Sequence, residues 1–274
     1  MPAKASFITL TTDFGYKDPY VGILKGVILD INPHAGIIDI SHGISPQDIM
    51  EASLLLRSSF SYFPHGTIHV AVVDPGVGSN RRPIIISTQH YYFVGPDNGI
   101  FSFVYEYEDE PRVLHLNATH YFLPAEDSTF DGRDIFAPIA AWLSKGIDVE
   151  NFGEPINDYV KIPFPKPKIV GDNIIEGEII SIDRFGNSSS NISSKDIKDF
   201  LKSEGPLGDV PELKIMIKGQ EIMGLSRFYA QTFNKGPAAI INSSGLLEIY
   251  IYRGNAAKVF ELRKGDKIGL LVSK

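Results

Sequence analysis

A proline-rich segment, Lys161–Lys168 with the sequence KIPFPKPK, separates two parts of the chain that have different residue patterns. Each of its three prolines holds φ at about −65° and removes a backbone N–H group, so the segment favours an extended, semi-rigid conformation. About 160 residues precede it and about 105 follow it, and each part is long enough for a domain. We predict domains over residues 1–160 and 172–274, joined by a linker over residues 161–171.

Before this segment, short β-branched runs alternate with stretches in which apolar residues recur with a helical period. Ser45 and Pro46 suit the N-cap and the first turn of the second helix. The order strand, helix, strand, helix, strand is typical of a parallel sheet covered by helices. We predict an α/β N-terminal domain with a mostly parallel sheet, with strands at 7–12, 36–40, 67–73, 84–88 and 91–94 and helices at 20–31, 46–60 and 134–143.

After the segment, strand-like runs are separated by glycine, asparagine and serine residues. Several short strands with turn signals between them are typical of a small barrel or sandwich. We predict a smaller, all-β, barrel-like C-terminal domain with strands at 174–182, 213–217, 238–241, 246–251 and 267–272.

The composition excludes several classes of protein. The chain has no cysteine, so it has no disulfide scaffold, thiolate zinc site or cysteine nucleophile. Its 26 lysines and arginines against 33 aspartates and glutamates give a net charge of −7, which disfavours nucleic acid as a partner. No apolar run approaches the roughly 20 residues of a membrane span, and the N-terminal apolar stretch reaches Asp13 too early for a signal peptide. We expect a cytoplasmic protein that binds neither nucleic acid nor membrane.

Four polar clusters lie after predicted strands or before a predicted helix, and ligands of open parallel sheets bind at such strand ends. Taken singly, each cluster also fits a structural role, since Asp-Pro-Gly is a common turn and Asp134 suits a helix cap with Arg133 beside it. Taken together they favour a site, because acidic and arginine side chains recur at these ends. The clusters are Asp13–Gly15, Asp74–Arg82, Thr129–Asp134 and Asp183–Asn187.

Other motifs give little support for a metal, phosphate or serine-hydrolase site. His65 and His69 are four residues apart, but Pro64 and Gly66 predict a turn there and not a helix. The Gly-x-Gly at residues 76–78 lacks the third glycine of a dinucleotide fingerprint, and the sequence has no Gly-x-Ser-x-Gly elbow. We expect no metal site.

Eight short motifs in order carry a family resemblance. They are TTDFG at 11–15, DISH at 39–42, VVDPGVG at 72–78, GPDNG at 95–99, TFDGRD at 129–134, DRFGN at 183–187, NSSG at 242–245 and GNAA at 254–257. The series resembles the S-adenosylmethionine (SAM) hydroxide adenosyltransferases, which are adenosine-forming SAM hydrolases related to the fluorinase and the chlorinase. The resemblance covers nearly the whole chain.

The resemblance implies hydrolysis of SAM, in which water or hydroxide attacks C5′ of the ribose and methionine leaves. A cationic sulfonium loses its charge as its bond breaks, so a dry, preorganised site assists this step. SAM is then the substrate, and no metal or further cofactor is needed. The resemblance also implies a homotrimer, in which each active site lies between the N-terminal domain of one subunit and the C-terminal domain of the next.

The resemblance also assigns substrate contacts by position. Asp13 holds the ribose hydroxyls, since one carboxylate can accept two parallel hydrogen bonds. Aromatic side chains stack on the adenine. The remaining contacts are Asp18 and Asp183 to the methionine amine, Ser243 and Ser244 to its carboxylate, Phe185, Asn187 and Tyr229 beside the adenine, Asn255 and Ala256 at the adenine rim, and Phe130 and Gly132 beside the catalytic position.

The catalytic position departs from the family pattern. These hydrolases orient water with an aspartate, an arginine and a histidine; Asp74 and Arg81 match the first two, but Asp131 replaces the histidine. One member of a close carboxylate pair tends to keep its proton, whereas Arg81 favours the charged form of both, and the sequence does not decide between these effects. Three alternatives follow: a hydrolase that uses Asp131, a form impaired by an engineered substitution at 131, and a SAM or adenosine binder without catalysis.

A SAM-dependent halogenase is disfavoured. Asp74 replaces the aromatic residue of the halogenases, and two carboxylates beside the nucleophile position would repel a halide. Gly132 matches both the chlorinase and the hydrolases, whereas the fluorinase has serine at this position.

Overall fold

The computed structural model describes residues 7–124, 129–202, 205, 207, 213–233 and 236–272. The chain divides into two compact units, Met1–Pro163 and Phe164–Lys274, and the division falls inside the segment 161–171. Within that segment, Lys168–Val170 forms a strand of the second unit. The role of the segment as a linker stays a prediction. Residues 1–6, which belong to the stretch considered as a signal peptide, lie outside the described residues.

The first unit contains a sheet with the strand order β2-β1-β3-β5-β4-β6-β7 and four α-helices among the described residues. A π-helical turn, Gly132–Phe136, leads directly into the last helix. The strands are β1 Phe7–Thr12, β2 Gly36–Ser41, β3 Ile68–Val72, β4 Pro83–Ser87, β5 Tyr92–Pro96, β6 Arg112–Leu116 and β7 Gly153–Pro155, and the helices are α1 Tyr20–Ile31, α2 Ile49–Arg57, α3 Val104–Tyr107 and α4 Ala137–Ser144.

The sheet is mixed, so the prediction of a mostly parallel sheet is only partly correct. β1, β2, β3 and β5 pair in parallel, as the alternation of strands and helices predicts. β4, β6 and β7 pair antiparallel. For β4 and β5 the cause is local, since only residues 88–91 separate them and a parallel crossover needs a dozen or more residues.

The core of the first unit lies between the sheet and the helices α1 and α4. Leu24 and Ile28 are buried on one face of α1, and they pack in one cluster with Leu10 of β1 and with Phe136.

α2 begins at Ile49, later than predicted. Its N-cap is Asp48, whose side chain accepts a hydrogen bond from the backbone N–H of Glu51. The predicted start at Ser45 and Pro46 is wrong because Gln47 has a φ of 67°, a left-handed conformation that interrupts a helix.

The second unit contains an antiparallel sheet with the order β12-β11-β15-β9-β10-β14-β13, and β8 also pairs with β9. A bridge between Ser226 and Ile240 brings the chain after β12 beside β13, so the sheet is nearly closed and barrel-like. The described strands are β8 Lys168–Val170, β9 Ile174–Ile182, β10 Ser188–Ser193, β11 Leu213–Ile217, β12 Gln220–Met223, β13 Pro237–Ile241, β14 Leu246–Ile251 and β15 Lys267–Val272.

Two helices in this unit, α5 Ser194–Leu201 and α6 Ala256–Val259, correct the expectation of an all-β domain. Ser193 and Asp196 form a capping box at the start of α5, a signal that the sequence contains. Among the described residues of both units, no helix has the length and apolar character needed to span a membrane.

Candidate active site

The carboxyl ends of the parallel strands β1, β2 and β3 lie at one edge of the first sheet and lead into polar turns. Asp13 follows β1 directly, His42 follows β2 directly, and Asp74 lies two residues beyond β3. This is the edge at which ligands of open parallel sheets bind, and at which the sequence predicts a site.

Asp74, Arg81 and Asp131 form one nearly buried cluster. Nε of Arg81 donates a hydrogen bond to Oδ1 of Asp74 at 2.9 Å, and Nη2 of Arg81 contacts Oδ2 of both Asp74 and Asp131. The three side chains are between 6% and 12% exposed, and the guanidinium lies 5.6 Å from the centre of the Phe136 ring. Arg81 therefore offsets the repulsion between the two carboxylates. The sequence alone does not decide between this attraction and that repulsion.

The π-helical turn places Asp131 at the start of the helical segment that continues into α4. Such turns are rare in helices and occur frequently at functional sites. Asp134, a cap candidate in the sequence, instead pairs with Arg133 through two contacts, Nε to Oδ1 at 2.5 Å and Nη2 to Oδ2 at 2.9 Å. The turn thus directs Asp131 to Arg81 and holds Asp134 in a separate ion pair.

Aromatic rings connect the Asp13 turn to the segment before Asp131. Phe14, Tyr20 and Phe130 lie with their ring centres 5.3 to 5.6 Å apart. A Cβ atom at Gly132 would lie 2.9 Å from the Phe130 ring and 3.3 Å from Leu24, so this packing leaves no room for a side chain at 132. The predicted site residues Phe130 and Gly132 therefore lie directly beside Asp131 of the Asp74–Arg81–Asp131 cluster.

Asp13 lies at the predicted edge and is already part of the turn structure. Its Oδ2 accepts a hydrogen bond from the backbone N–H of Gln47 at 2.8 Å. Asp18, the other predicted acidic contact in this unit, lies exposed in the turn before α1. The ribose and amine contacts of these two residues stay predictions.

A partly buried hydrogen-bond network supports the Asp13 turn, and three of its four residues lie in the TTDFG and DISH motifs. Thr12 Oγ1 lies 2.8 Å from Nδ1 of His42, whose Nε2 lies 3.1 Å from Oδ1 of Asp39. Lys25 donates to Oδ2 of Asp39 at 2.6 Å. Burial acts to raise the pKa of Asp39, but the hydrogen bonds from Lys25 and His42 outweigh it and hold that pKa below its usual value. These contacts connect the end of β1 to β2 and to α1.

In the second unit, Asp183 organises the turn that carries Phe185 and Asn187. Its Oδ1 accepts hydrogen bonds from the backbone N–H groups of Phe185 and Asn187, each at 2.8 Å, and its Oδ2 accepts one from the Asn187 side chain at 2.9 Å. This turn leaves the Phe185 ring 72% exposed, so the ring is available for stacking. Contact of Asp183 with a substrate amine stays a prediction beside this structural role.

Gly186 packs directly against Asn255, a predicted adenine contact. Asn255 caps α6 by accepting a hydrogen bond from the backbone N–H of Lys258 at 2.7 Å, and Ala256 begins that helix, fully buried. Gly186 has a φ of 84°, and a Cβ atom there would overlap the Asn255 side chain.

Replacing Gly186 with alanine is expected to lower the free energy of unfolding by about 3 kcal/mol, through a strained backbone and displacement of Asn255. Gly171→Ala is the matched control, because Gly171 has a φ of 63° but no neighbour within 4 Å of the added Cβ. We expect that control to cost about 1 kcal/mol in urea unfolding. Equal losses for the two variants would show that contact with Asn255 does not matter.

Tyr229 and the Ser243–Ser244 turn are connected through a buried carboxylate that sequence reasoning missed. The Tyr229 hydroxyl donates a hydrogen bond to Oε1 of Glu248 at 2.9 Å. Burial, together with this hydrogen bond, raises the pKa of Tyr229 to about 12. Ser243 and Ser244 lie exposed in the turn after β13, where Asn242 accepts the backbone N–H of Ser244 at 2.9 Å.

The predicted site residues thus form two groups, one in each unit. The first unit holds Asp13, Asp18, Asp74, Arg81, Phe130, Asp131 and Gly132, and the second holds Asp183, Phe185, Asn187, Tyr229, Ser243, Ser244, Asn255 and Ala256. Among the described residues, no group of three or more histidine, aspartate and glutamate side chains is arranged to hold a metal ion.

Comparison with known proteins identifies relatives along both units. Residues 8–153 match the family model described as the SAM hydroxide adenosyltransferase N-terminal domain, and residues 177–269 match its C-terminal domain. The chain is 37% identical to the (R)-S-adenosyl-L-methionine hydrolase of Methanocaldococcus jannaschii, over 96% of this chain and 95% of that protein. It is 33% identical to the enzyme of the same name from Thermus thermophilus, over 95% of this chain and 97% of that protein.

Solved structures agree with this similarity. An uncharacterized conserved protein from Thermotoga maritima superposes with a TM-score of 0.87 at 32% identity, over 98% of this chain and all of that one. A conserved hypothetical protein from Thermus thermophilus superposes with a TM-score of 0.75 at 30% identity, over 96% of this chain and 99% of that one.

Proposed function

The chain belongs to the SAM hydroxide adenosyltransferase family, and from this premise we propose that it is an enzyme that hydrolyses SAM to adenosine and L-methionine. The observation that carries the proposal is its similarity, at 28–37% identity over 95–97% of the chain, to relatives named (R)-S-adenosyl-L-methionine hydrolase. Relatives named fluorinase are less similar, at 22–25% identity. Hydrolysis is therefore favoured over halogenation.

The reaction is an in-line displacement at C5′ of the ribose. A water oxygen forms a bond to C5′, the C5′–S bond breaks with its electron pair going to sulfur, and the sulfonium becomes the neutral thioether of methionine. One water proton is released, so SAM and water give adenosine, methionine and a proton. Positive charge disappears from sulfur in this step, and preorganised groups in a water-poor site assist it.

Asp74, Arg81 and Asp131 are the proposed catalytic residues. Their support is the cluster itself, in which a nearly buried arginine contacts two carboxylates that could accept hydrogen bonds from a water molecule. In this proposal the carboxylates orient the attacking water and take up its proton, and Arg81 keeps both of them in place. Asp131 acts where the family has a histidine.

The substrate contacts are proposed as the resemblance assigns them. Asp13 binds the ribose hydroxyls, and Phe185 offers an exposed ring for stacking on adenine. We also propose a homotrimer with active sites at its subunit interfaces, which the resemblance supports, and a cytoplasmic location, which the cysteine-free composition supports. A light-scattering mass of three chains is expected, and a monomeric mass would contradict the trimer.

The names of the relatives specify the (R) epimer at sulfur, and we propose the same preference for this chain. Purified protein incubated with mixed SAM epimers is expected to release adenosine and methionine in equal amounts and to consume (R)-SAM first. Intact SAM together with a ligand-induced rise in Tm would instead indicate the binder or the impaired form. Arms with added chloride or fluoride test the halogenase alternative, and they are expected to give no 5′-halogenated adenosine.

A further inference from the structure

Glu248 is a carboxylate that is buried within a strand of the second unit. It lies within β14 and is 5% exposed. Its neighbours Leu247 and Ile249 belong to the apolar core of the second unit. Successive side chains of a strand point to opposite faces, so Glu248 lies on the other face of the sheet and is covered there. A buried carboxylate costs several kcal/mol unless donors compensate it.

Three side chains supply these donors. The Tyr229 hydroxyl donates to Oε1 at 2.9 Å, and Ser189 Oγ and Asn242 Nδ2 donate to Oε2 at 2.9 and 3.0 Å. Ser189 lies directly opposite Glu248 in the pairing of β10 with β14. Glu248 therefore connects β10, Tyr229 and the turn between β13 and β14.

The orientation of the Asn242 amide is determined by its other contacts. Its Oδ1 accepts hydrogen bonds from the backbone N–H groups of Ser244 and Leu246, at 2.9 and 3.1 Å. The amide must therefore present its NH₂ group to Glu248. The Glu248 carboxylate thus acts through the Asn242 side chain to hold the backbone of the turn that contains Ser243 and Ser244.

The other end of the network is a tyrosine outside the sheet. Tyr229 begins a short 3-10 turn, Tyr229–Thr232, and its ring packs edge-on against Tyr250 at 4.9 Å. The hydrogen bond to Glu248 holds the hydroxyl end of this ring in place. Both ends of the network are residues assigned to substrate contacts, one at the adenine and one at the methionine carboxylate.

We propose that Glu248 is a positioning residue of the SAM site, which sets the Tyr229 ring and, through Asn242, the Ser243–Ser244 turn. It does not touch the reacting atoms. The identity of the ligand rests on the proposed function, whereas the positioning is a property of the free protein. The two parts are therefore tested separately.

The first test measures hydrogen exchange in the free protein by mass spectrometry. Glu248→Gln is expected to raise amide exchange several-fold in residues 226–233 and 242–247 and to leave residues 213–223 unchanged. The control is Glu221→Gln, which removes an exposed carboxylate paired with Lys214 in the same unit. Unchanged exchange in both segments would overturn the proposal, whether or not the protein acts on SAM.

The second test measures SAM kinetics. Glu248→Gln is expected to raise KM about tenfold with kcat within about twofold of the wild-type value, because binding contacts are displaced and the water site is not. Tyr229→Phe removes one of the same hydrogen bonds from the exposed side. The double variant should therefore raise KM by less than the product of the two single-variant increases. A tenfold fall in kcat with an unchanged KM would overturn the proposal. So would a double variant whose rise in KM equals the product of the two single-variant rises.

Tyr229→Phe also serves if Glu248→Gln does not fold, because it tests the same contact from a partly exposed residue. It is then expected to raise exchange in residues 226–233 and to raise KM, and no change in either would overturn the proposal. A wild-type protein that leaves SAM intact would contradict the proposed function alone, since the exchange experiment still decides the positioning role.

Discussion

Replacement of Arg81 with alanine is expected to lower kcat for SAM hydrolysis by about 10²- to 10³-fold, the usual loss when a preorganised electrostatic group is removed. The side chain contacts both Asp74 and Asp131 in a nearly buried cluster. Without it, two carboxylates remain close together with no guanidinium between them. Their repulsion should turn at least one of them away from the position of the attacking water.

The same substitution is expected to lower the free energy of unfolding by about 3–5 kcal/mol, because removal of one partner leaves buried charge uncompensated. Arg82→Ala is the matched control. Arg82 donates two hydrogen bonds to Asp97, which is also buried, but it does not belong to the Asp74–Asp131 cluster. We expect this control to lose stability and to keep kcat near the wild-type value at a temperature where it is folded. An Arg81→Ala protein that keeps kcat within about threefold would contradict the catalytic assignment.

Replacement of Asp13 with alanine is expected to weaken SAM binding by about 10²-fold or more. A carboxylate that accepts hydrogen bonds from two ribose hydroxyls contributes about 1.5–3 kcal/mol through each, and about 1.4 kcal/mol corresponds to a tenfold change in affinity. The backbone N–H of Gln47 also loses its acceptor, so the turn before α2 is expected to loosen.

Calorimetry with the two products separates the ribose contact from a general loss of the site. Adenosine affinity should fall with that of SAM, whereas L-methionine affinity should remain near the wild-type value. Asp30→Ala, at an exposed position on α1, is the control for removal of a negative charge from this unit. Unchanged adenosine affinity in Asp13→Ala would contradict the ribose assignment.

The pattern of the sequence is sufficient to place the candidate site at one edge of the sheet, but it does not predict the contacts within that site. Alternation of strands and helices up to β3 predicts parallel strands, and it therefore predicts that Asp13 and Asp74 lie at the carboxyl ends of such strands. That these two strands are neighbours is visible only in the structure. The reversed direction of β4 is not predicted by this reasoning, because it is determined by the short connection between β4 and β5. The start of α2 escapes it because the left-handed Gln47 makes Asp48, and not Ser45, the cap.

Contacts between residues distant in the chain are the part that the sequence could not provide. Arg81 and Asp131 are 50 residues apart, and whether the arginine or the repulsion between carboxylates dominates depends on where the guanidinium lies. Glu248 and Ser189 are 59 residues apart, and Glu248 occurs in a strand-like run where a lone acidic residue is usually solvent-facing. Its burial and its contacts with Tyr229, Ser189 and Asn242 are visible only in the structure.

Hydrolysis in water enriched in oxygen-18 tests the central claim most directly, because it follows the atom that the reaction introduces. Purified protein is incubated with SAM in labelled water, and adenosine and methionine are analysed by mass spectrometry beside a protein-free control. Attack of water at C5′ predicts the label in the 5′-hydroxyl of adenosine and none in methionine. Unlabelled adenosine, or adenosine at the level of the protein-free control, would contradict SAM hydrolysis by this chain.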